Sequence, residues 1–152
     1  MSEPTRIVLV DDDRDDIDVA LRAARRAHLP VTITVFQDGQ EVLDALGVDE
    51  NGNGAAQSRL RPHAIFLDLR MPRIDGWEIL RRLRESPRTR DIPVIVQSWS
   101  MARDDIERCY ALGANSFVPK RMTPTNPGFY FADAVRYWIQ QNRTPYSAPS
   151  DV

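Results

Sequence analysis

Five short apolar segments alternate with five amphipathic segments along this chain of 152 residues, and that alternation constrains the fold more than any other feature. The apolar segments have the length and the β-branched content that are typical of buried strands. We predict strands at residues 6–10, 31–36, 64–67, 93–97 and 116–119.

The segments between these strands carry apolar residues at helical spacing, as Ile17, Ala20 and Ala24 do in the first of them. We predict helices at residues 15–27, 41–46, 76–85, 101–112 and 129–141. Strands that alternate with helices are joined by right-handed crossovers, which makes the sheet parallel and covers both of its faces. The fold class is therefore a doubly wound α/β domain, a five-stranded parallel sheet with five helices, whose chemistry lies at the carboxyl ends of the strands.

The continuous alternation of predicted strands and helices indicates a single domain at residues 6–142, between an N-terminal tail at 1–5 and a C-terminal tail at 143–152. We expect no output domain after the last helix. Residues 47–62 hold three of the seven glycines and show no apolar periodicity, so we predict a mobile surface loop there. An inert insertion is the favoured interpretation of this loop, and a functional role is the alternative.

Composition excludes several classes of protein. The net charge of -2 provides no basic surface for nucleic acid. The apolar runs are too short to span a membrane, and the first residues do not resemble a signal peptide. The single cysteine, Cys109, forms no internal disulfide and belongs to no zinc-binding cluster. We expect a cytoplasmic protein.

Polar residues follow four of the predicted strands, which brings them to one edge of the sheet. Asp11, Asp12 and Asp13 follow the first strand, Asp68 the third and Ser98 the fourth. Asp13 directly precedes a helix and is predicted to cap it. A helix cap requires only one residue, so Asp11 and Asp12 are not explained by capping. Paired carboxylates next to a phosphate favour Mg²⁺ binding.

The fifth strand ends at Lys120, the one lysine among 20 Lys and Arg residues. A coding bias towards arginine explains the composition, and chance survival of one lysine is the simplest interpretation. However, arginine does not replace the compact ammonium of lysine at a tight phosphoryl contact. Asp68 is thus a candidate metal ligand or phosphoryl-accepting nucleophile, with Mg²⁺, Lys120 and the Ser98 hydroxyl as partners of the phosphoryl oxygens.

These residues and their neighbours resemble the CheY-like receiver domains of two-component response regulators. The resemblance covers roughly residues 6–141 and includes a softer likeness to the single-domain regulators paired with bacterial phytochromes. It implies the strand order 2-1-3-4-5. The matching segments are VLVDDD at 8–13, FLDLRMPRIDG at 66–76, IPVIVQS at 92–98 and GANSFVPK at 113–120.

The resemblance assigns a role to each candidate residue. Asp68 becomes the acceptor of a phosphoryl group from a sensor histidine kinase, and Lys120 matches the lysine of the family pattern. Asp11, Asp12 and Asp68 become Mg²⁺ ligands, together with the backbone carbonyl of Arg70. Ser98 and Phe117 match the hydroxyl and the aromatic residue that move when a receiver is phosphorylated.

The sequence departs from the family pattern at four residues. Arg121 follows Lys120 where the family has a proline in a cis peptide, and a non-proline cis bond costs about 3 kcal/mol, so we expect a trans bond. Pro119 precedes the lysine and is tolerable on an edge strand. Trp99 replaces a small residue, where it would hinder access to the phosphoryl group or stack at an interface. Arg70 is also bulky, and would pair with the phosphate or shield it.

The implied partners are a sensor histidine kinase, for which the softer likeness suggests a bacterial phytochrome, and an unknown downstream protein. A homodimer through the fourth helix, fifth strand and fifth helix is a hypothesis. In the last helix, Phe131 and Trp138 are predicted core residues, whereas for Tyr130 and Tyr137 a partner surface and the core are equally favoured.

Two other functions are possible for this pattern of residues. The Asp11-x-Asp13 pattern is shared with haloacid-dehalogenase-like phosphohydrolases, but Asp15 stands where that family has Thr or Val, and few acids follow Lys120. A non-switching pseudo-receiver is the second alternative. The intact acidic, hydroxyl and lysine positions oppose it, and Trp99 and Arg121 mildly favour it. The receiver interpretation makes the chain a phosphoacceptor rather than an enzyme.

Overall fold

A computed structural model describes residues 4–48, 60–121 and 125–145. Five parallel strands form one sheet in the order β2-β1-β3-β4-β5, which confirms the predicted fold class and strand order. β5 lies at one edge of this sheet, so it has a neighbouring strand on one side only. The N–H that Pro119 lacks therefore costs the sheet no hydrogen bond on the open side. The strands are β1 (Thr5–Val10), β2 (Val31–Phe36), β3 (Ala64–Asp68), β4 (Val94–Ser98) and β5 (Ser116–Pro119).

Helices connect the strands in sequence order and cover both faces of the sheet. They are α1 (Arg14–Arg26), α2 (Gly39–Leu46), α3 (Gly76–Glu85), α4 (Arg103–Ala111) and α5 (Phe129–Arg136). The predicted helix at residues 129–141 is helical throughout, with α5 followed directly by a π-helix at Tyr137–Gln141. There the Asn142 N–H donates to the Tyr137 carbonyl, and Trp138 and Ile139 pack against the core.

Alternate side chains of each central strand point to opposite faces, which creates two separate cores. On one face Val8, Val10, Ile65 and Leu67 pack with residues of α2 and α3. On the other face Ile7, Leu9 and Phe66 pack with α1 and α5, where the rings of Phe66 and Phe131 meet edge to face with centroids 5.2 Å apart. Because both faces of the sheet are buried, the sequences of these strands are continuous apolar runs.

Aspartates begin three of the helices and thereby shape the edge of the sheet where the strands end. The Asp13 carboxylate accepts hydrogen bonds from the N–H groups of Asp15 and Asp16, which confirms its predicted capping role. Asp38 and Asp75 cap α2 and α3 in the same way. Each such cap contributes roughly 1 kcal/mol and turns the chain from strand to helix within a few residues.

The predicted surface loop at 47–62 falls mostly on residues 49–59, which lie outside the described residues, as do most of the two predicted tails. Gly47 ends α2 with a left-handed φ of 72°, and Val48 returns to the core. Among the described residues, no helix has the length and apolarity needed to cross a membrane.

Candidate functional site

The carboxyl ends of β1, β3, β4 and β5 bring the predicted polar residues to one cleft. Side chains from the start of α1 and from the segment after β4, which are far apart in the sequence, line the same solvent-accessible space. The lining residues are Asp12, Asp13, Asp16, Asp68, Arg70, Ser98, Trp99, Ser100 and Lys120.

Three carboxylates form the acidic part of the cleft. Asp11, Asp12 and Asp68 each offer one oxygen, and these oxygens lie within 4.8 Å of one another. Asp11 is buried, Asp68 is half-buried and Asp12 is exposed. The Asp13 N–H donates to Asp11 Oδ1 at 3.0 Å and orients that carboxylate. Hard oxygen donors at this spacing suit a divalent cation such as Mg²⁺.

Lys120 is the cation that faces these carboxylates, and its side chain is only 2% exposed. Its Nζ donates to Asp11 Oδ2 at 2.7 Å and to Asp16 Oδ2 at 2.8 Å, and lies 3.4 Å from Asp68 Oδ1. The Lys120 N–H donates to the Ser98 carbonyl at 2.8 Å, which continues the pairing of β5 with β4. The bond to Arg121 is trans, as expected, because the described residues include no cis peptide.

Burial and charge shift the protonation of this cluster. Burial raises the pKa of Asp68 to about 7, and the charges of Asp11 and Asp12 add to that effect while Lys120 opposes it. Burial likewise raises the pKa of Asp11, against the attraction of Lys120. For Lys120, burial alone would lower the pKa, but the carboxylates of Asp68 and Asp11 outweigh it and raise the pKa. A cation bound here would favour ionised carboxylates.

Sequence reasoning missed Asp16, which is 7% exposed and shares the buried lysine. Its Oδ2 accepts hydrogen bonds from Lys120 Nζ and from Trp99 Nε1, the latter at 2.9 Å. One signal was available, since Asp16 stands four residues before Ala20 on the apolar stripe of α1. A carboxylate on the buried face of a helix needs a partner, and Lys120 is that partner.

Arg70 and Trp99, the two bulky departures, make contacts that the sequence did not predict. Arg70 lines the cleft and pairs with Asp105 of α4 at 2.9 Å, with its guanidinium 5.5 Å from the centroid of the Trp77 ring. The Trp99 side chain is 56% exposed, yet its indole N–H is bound to Asp16. Both side chains therefore line the cleft, Trp99 through its bond to α1 and Arg70 through its bond to α4.

Ser98 and Phe117, the candidate switch residues, lie on adjacent strands. Ser98 is buried, and its Oγ accepts a hydrogen bond from the Ser100 N–H at 3.1 Å. The Ser100 hydroxyl in turn donates to Asp105 at 2.7 Å, which connects this segment to Arg70. Phe117 is half-buried against the core cluster on the α2 and α3 side of the sheet.

Gly76 allows the backbone to approach Asp68 closely. A Cβ at this position would lie 2.7 Å from Leu69 Cα and closer still to the Asp68 carbonyl oxygen. The Gly76 N–H also donates to the Leu69 carbonyl at 2.8 Å. The absence of a side chain thus fixes the turn that follows the candidate acceptor.

The aromatic residues of the last helix divide between core and surface. Tyr130 is 8% exposed and packs in the core with Phe131, so of the two alternatives for Tyr130 the structure supports the core. Trp138 is half-buried against the same core, whereas Tyr137 is 52% exposed. Burial also raises the pKa of the Tyr130 hydroxyl to about 12.

Comparison with known families and proteins agrees with this geometry. Residues 7–126 match the model of the response regulator receiver domain. The probable methanogenesis regulatory protein FilR2 of Methanothrix harundinacea is 33% identical over 143 residues, which are 94% of this chain and 89% of that protein. Other curated response regulators are longer, and the chain spans 44% to 57% of the length of three of them.

Solved structures resemble the chain over nearly its whole length. The phosphorylated cyanobacterial phytochrome response regulator RcpA superimposes with a TM-score of 0.81 at 28% identity, covering 94% of this chain and 99% of RcpA. The Mn(2+)-bound form of response regulator Rcp1 gives a TM-score of 0.79 at 25% identity, with coverage of 93% and 99%. The structural neighbours thus include phytochrome-associated response regulators.

Proposed function

The chain belongs to the family of response regulator receiver domains, and we propose that it acts as a response regulator that accepts a phosphoryl group on Asp68. The observation that carries this proposal is the meeting of Asp68 with Asp11, Asp12 and the buried ammonium of Lys120 at one edge of the sheet. FilR2 and RcpA each match 94% of this chain, which supports one receiver domain at residues 6–142.

The proposed reaction is transfer of a phosphoryl group from a phosphohistidine. A carboxylate oxygen of Asp68 attacks phosphorus, the phosphorus–nitrogen bond of the donor breaks, and the leaving imidazole takes up a proton from solvent. Lys120 lies 3.4 Å from Asp68 and supplies a fixed positive charge beside the incoming phosphoryl oxygens. Such transfer depends mainly on positioning and charge neutralisation, which these residues provide.

The residues present fit a divalent cation. Asp11, Asp12 and Asp68 place three carboxylate oxygens within 4.8 Å of one another, and a single buried ammonium does not neutralise them. These three side chains and the backbone carbonyl of Arg70 are the proposed ligands of Mg²⁺. When bound, the cation would neutralise charge on the phosphoryl oxygens.

Ser98 and Phe117 are the proposed route by which phosphorylation changes the surface. The Ser98 hydroxyl, buried beside the cleft, would turn towards the phosphoryl group and release its bond from the Ser100 N–H. Phe117 lies on the neighbouring β5, and movement of the segment after β4 would open space for its ring. Trp99 and Arg70 flank the path by which the donor and water reach Asp68.

The proposed partner is a sensor histidine kinase, and the likeness to RcpA favours a bacterial phytochrome. The signal would leave through protein–protein contacts, without nucleic acid or membrane, and the proposed location of the protein is the cytoplasm. The face formed by α4, β5 and α5 is the proposed homodimer surface. It carries the exposed side chains of Tyr110 and Tyr137, which support a contact there.

Intact-mass spectrometry after incubation with acetyl phosphate and Mg²⁺ tests the proposal. We expect the wild-type protein to gain one phosphoryl group and Asp68→Asn to gain none. Asp15→Asn is the matched control, because it removes an exposed carboxylate of α1 and should leave the gain intact. Equal labelling of Asp68→Asn and wild type would overturn the assignment.

The same experiment separates the alternatives. A pseudo-receiver takes no phosphoryl group from acetyl phosphate or from a phosphorylated cognate kinase. A haloacid-dehalogenase-like phosphohydrolase releases phosphate continuously from many phosphomonoesters, whereas a receiver hydrolyses only its own acyl phosphate. The match to the receiver family over residues 7–126 favours the receiver.

A further inference from the structure

The buried carboxylate of Asp16 has no part in the proposed chemistry, although it binds the lysine of the site. Lys120 Nζ lies 2.8 Å from Asp16 Oδ2 but 3.4 Å from Asp68 Oδ1. The ammonium therefore lies closer to α1 than to the phosphoryl acceptor. A charge-assisted bond at that distance is strong inside a protein, so Asp16 competes with Asp68 for the lysine.

The indole of Trp99 binds the same oxygen. Its Nε1 donates to Asp16 Oδ2 at 2.9 Å, so one carboxylate oxygen accepts from both Lys120 and Trp99. Two donors on one oxygen weaken each other, and removal of either strengthens the remaining bond. Because Trp99 directly follows Ser98, this shared oxygen connects the position of Lys120 to the segment after β4.

We propose that Asp16 is a positioning residue that restrains Lys120 before phosphorylation, and that the Trp99 N–H tunes this restraint through the shared Oδ2. The proposal rests on the proposed function, since it assigns Lys120 to the phosphoryl group at Asp68. When that group forms, Lys120 moves from Asp16 towards it, and Asp16 keeps the indole as its donor.

The charge of Asp16 and its hydrogen bond to Lys120 are both expected to slow phosphoryl transfer to Asp68. A carboxylate in the cleft repels an incoming phosphoryl group as well as holding its lysine back. Replacing Asp16 by Asn keeps the size and an acceptor oxygen but removes the charge. We expect Asp16→Asn to accept phosphoryl from acetyl phosphate with Mg²⁺ about threefold to tenfold faster than wild type, the range expected for groups in direct contact.

Asp13→Asn is the matched control for this rate. Asp13 lines the same cleft and carries the same charge, but the ion pairs of Lys120 are with Asp11, Asp16 and Asp68. Asn caps a helix as well as Asp does, so the variant keeps α1 intact. Acceleration of Asp13→Asn equal to that of Asp16→Asn would show a general charge effect and overturn the positioning role.

Trp99→Phe keeps a six-membered aromatic ring and removes the five-membered ring that carries the N–H donor. With Lys120 as the remaining donor on Asp16 Oδ2, we expect phosphorylation to slow by about twofold. In the Asp16→Asn background the same substitution should have no further effect through this contact. An equal effect of Trp99→Phe in both backgrounds would mean that the ring acts on access to the cleft, and would overturn its coupling to Asp16.

The indole N–H resonance of Trp99 supplies a readout that does not depend on rate. In ¹⁵N-labelled protein it is identified by its loss in Trp99→Phe. We expect it to shift on addition of Mg²⁺ with beryllium fluoride, and to shift less than half as far in Asp16→Asn. An identical shift in both proteins would overturn the inference.

The experiments distinguish failure of the proposed function from failure of the inference about Asp16. If wild-type protein gains no phosphoryl group, the proposed function is wrong and this inference is overturned with it. If wild type is labelled on Asp68 while Asp16→Asn is no faster, the proposed function stands and the role of Asp16 is refuted. Circular dichroism melting of each variant verifies that the compared proteins are folded.

Discussion

Lys120→Met tests how strongly the fold depends on its single buried lysine. The substitution retains most of the side-chain volume but removes the cation from three carboxylates. At an effective dielectric constant of about 20, each of the two short pairs, to Asp11 at 2.7 Å and to Asp16 at 2.8 Å, contributes about 6 kcal/mol of attraction. Much of this is offset by the desolvation of the ammonium, which methionine does not incur.

The net expected loss in the free energy of unfolding is about 3–5 kcal/mol, as for a buried ion pair that loses one partner. The loss should depend on pH, because unpaired carboxyl groups take up protons. A carboxyl whose folded-state pKa is raised, such as Asp68 at about 7, stabilises the fold below its unfolded pKa and loses that contribution as pH rises through the folded pKa. The loss in Lys120→Met is therefore smaller at pH 5 than at pH 8.

Urea denaturation in EDTA, followed by circular dichroism at both pH values, measures these losses. Arg121→Met is the matched control, since it removes a neighbouring exposed cation and should change stability by less than about 0.5 kcal/mol. A loss below about 1 kcal/mol for Lys120→Met, or one that grows on acidification, would refute the reasoning.

Three further predictions concern the surroundings of the site. Gly76→Ala places a Cβ against the Asp68 backbone and should lower the free energy of unfolding by about 1–3 kcal/mol in urea denaturation, and an unchanged value would contradict the close approach. Asp12→Asn should weaken Mg²⁺ binding by at least about tenfold in isothermal titration calorimetry, and EDTA should block labelling by acetyl phosphate. Burial raises the pKa of the Cys109 thiol to about 11, so iodoacetamide should alkylate this thiol slowly at pH 8 and faster as pH rises. If the folded protein reacts as fast as the protein unfolded in urea, the thiol is not buried.

The fold could be predicted because its determinants are local. Apolar runs such as Ile7 to Val10 and Phe66 to Leu67 are buried in the sheet, and their alternation with amphipathic helices leaves few topologies. The capping role of Asp13 was predictable for the same reason, since a cap is made within three residues.

The parts that escaped prediction depend on contacts between distant residues. The Asp16 carboxylate meets Lys120 across 104 positions, and the Trp99 indole meets Asp16 across 83. Neither partner could be named before the strands were placed side by side. Arg70 pairs with Asp105 of α4 at 2.9 Å across 35 positions, and the sequence contains no local sign of that partner.

The π-helix after α5 shows a different limit. Residues 129–141 have one apolar periodicity, which predicts a helix with Phe131, Val135, Trp138 and Ile139 facing inward. Those four side chains do lie in or against the core. The change from α-helix to π-helix at Tyr137 alters only the hydrogen-bond pattern, which the apolar periodicity does not specify.

The most direct test of the central claim is to locate the phosphoryl group itself. Protein labelled with acetyl phosphate and Mg²⁺ is reduced with borohydride, which converts an acyl phosphate of aspartate to homoserine, and the peptides are sequenced by tandem mass spectrometry. The account predicts homoserine at position 68 and at no other aspartate. Conversion at Asp11 or Asp12 instead, or no conversion in a protein that has gained a phosphoryl group, would contradict it.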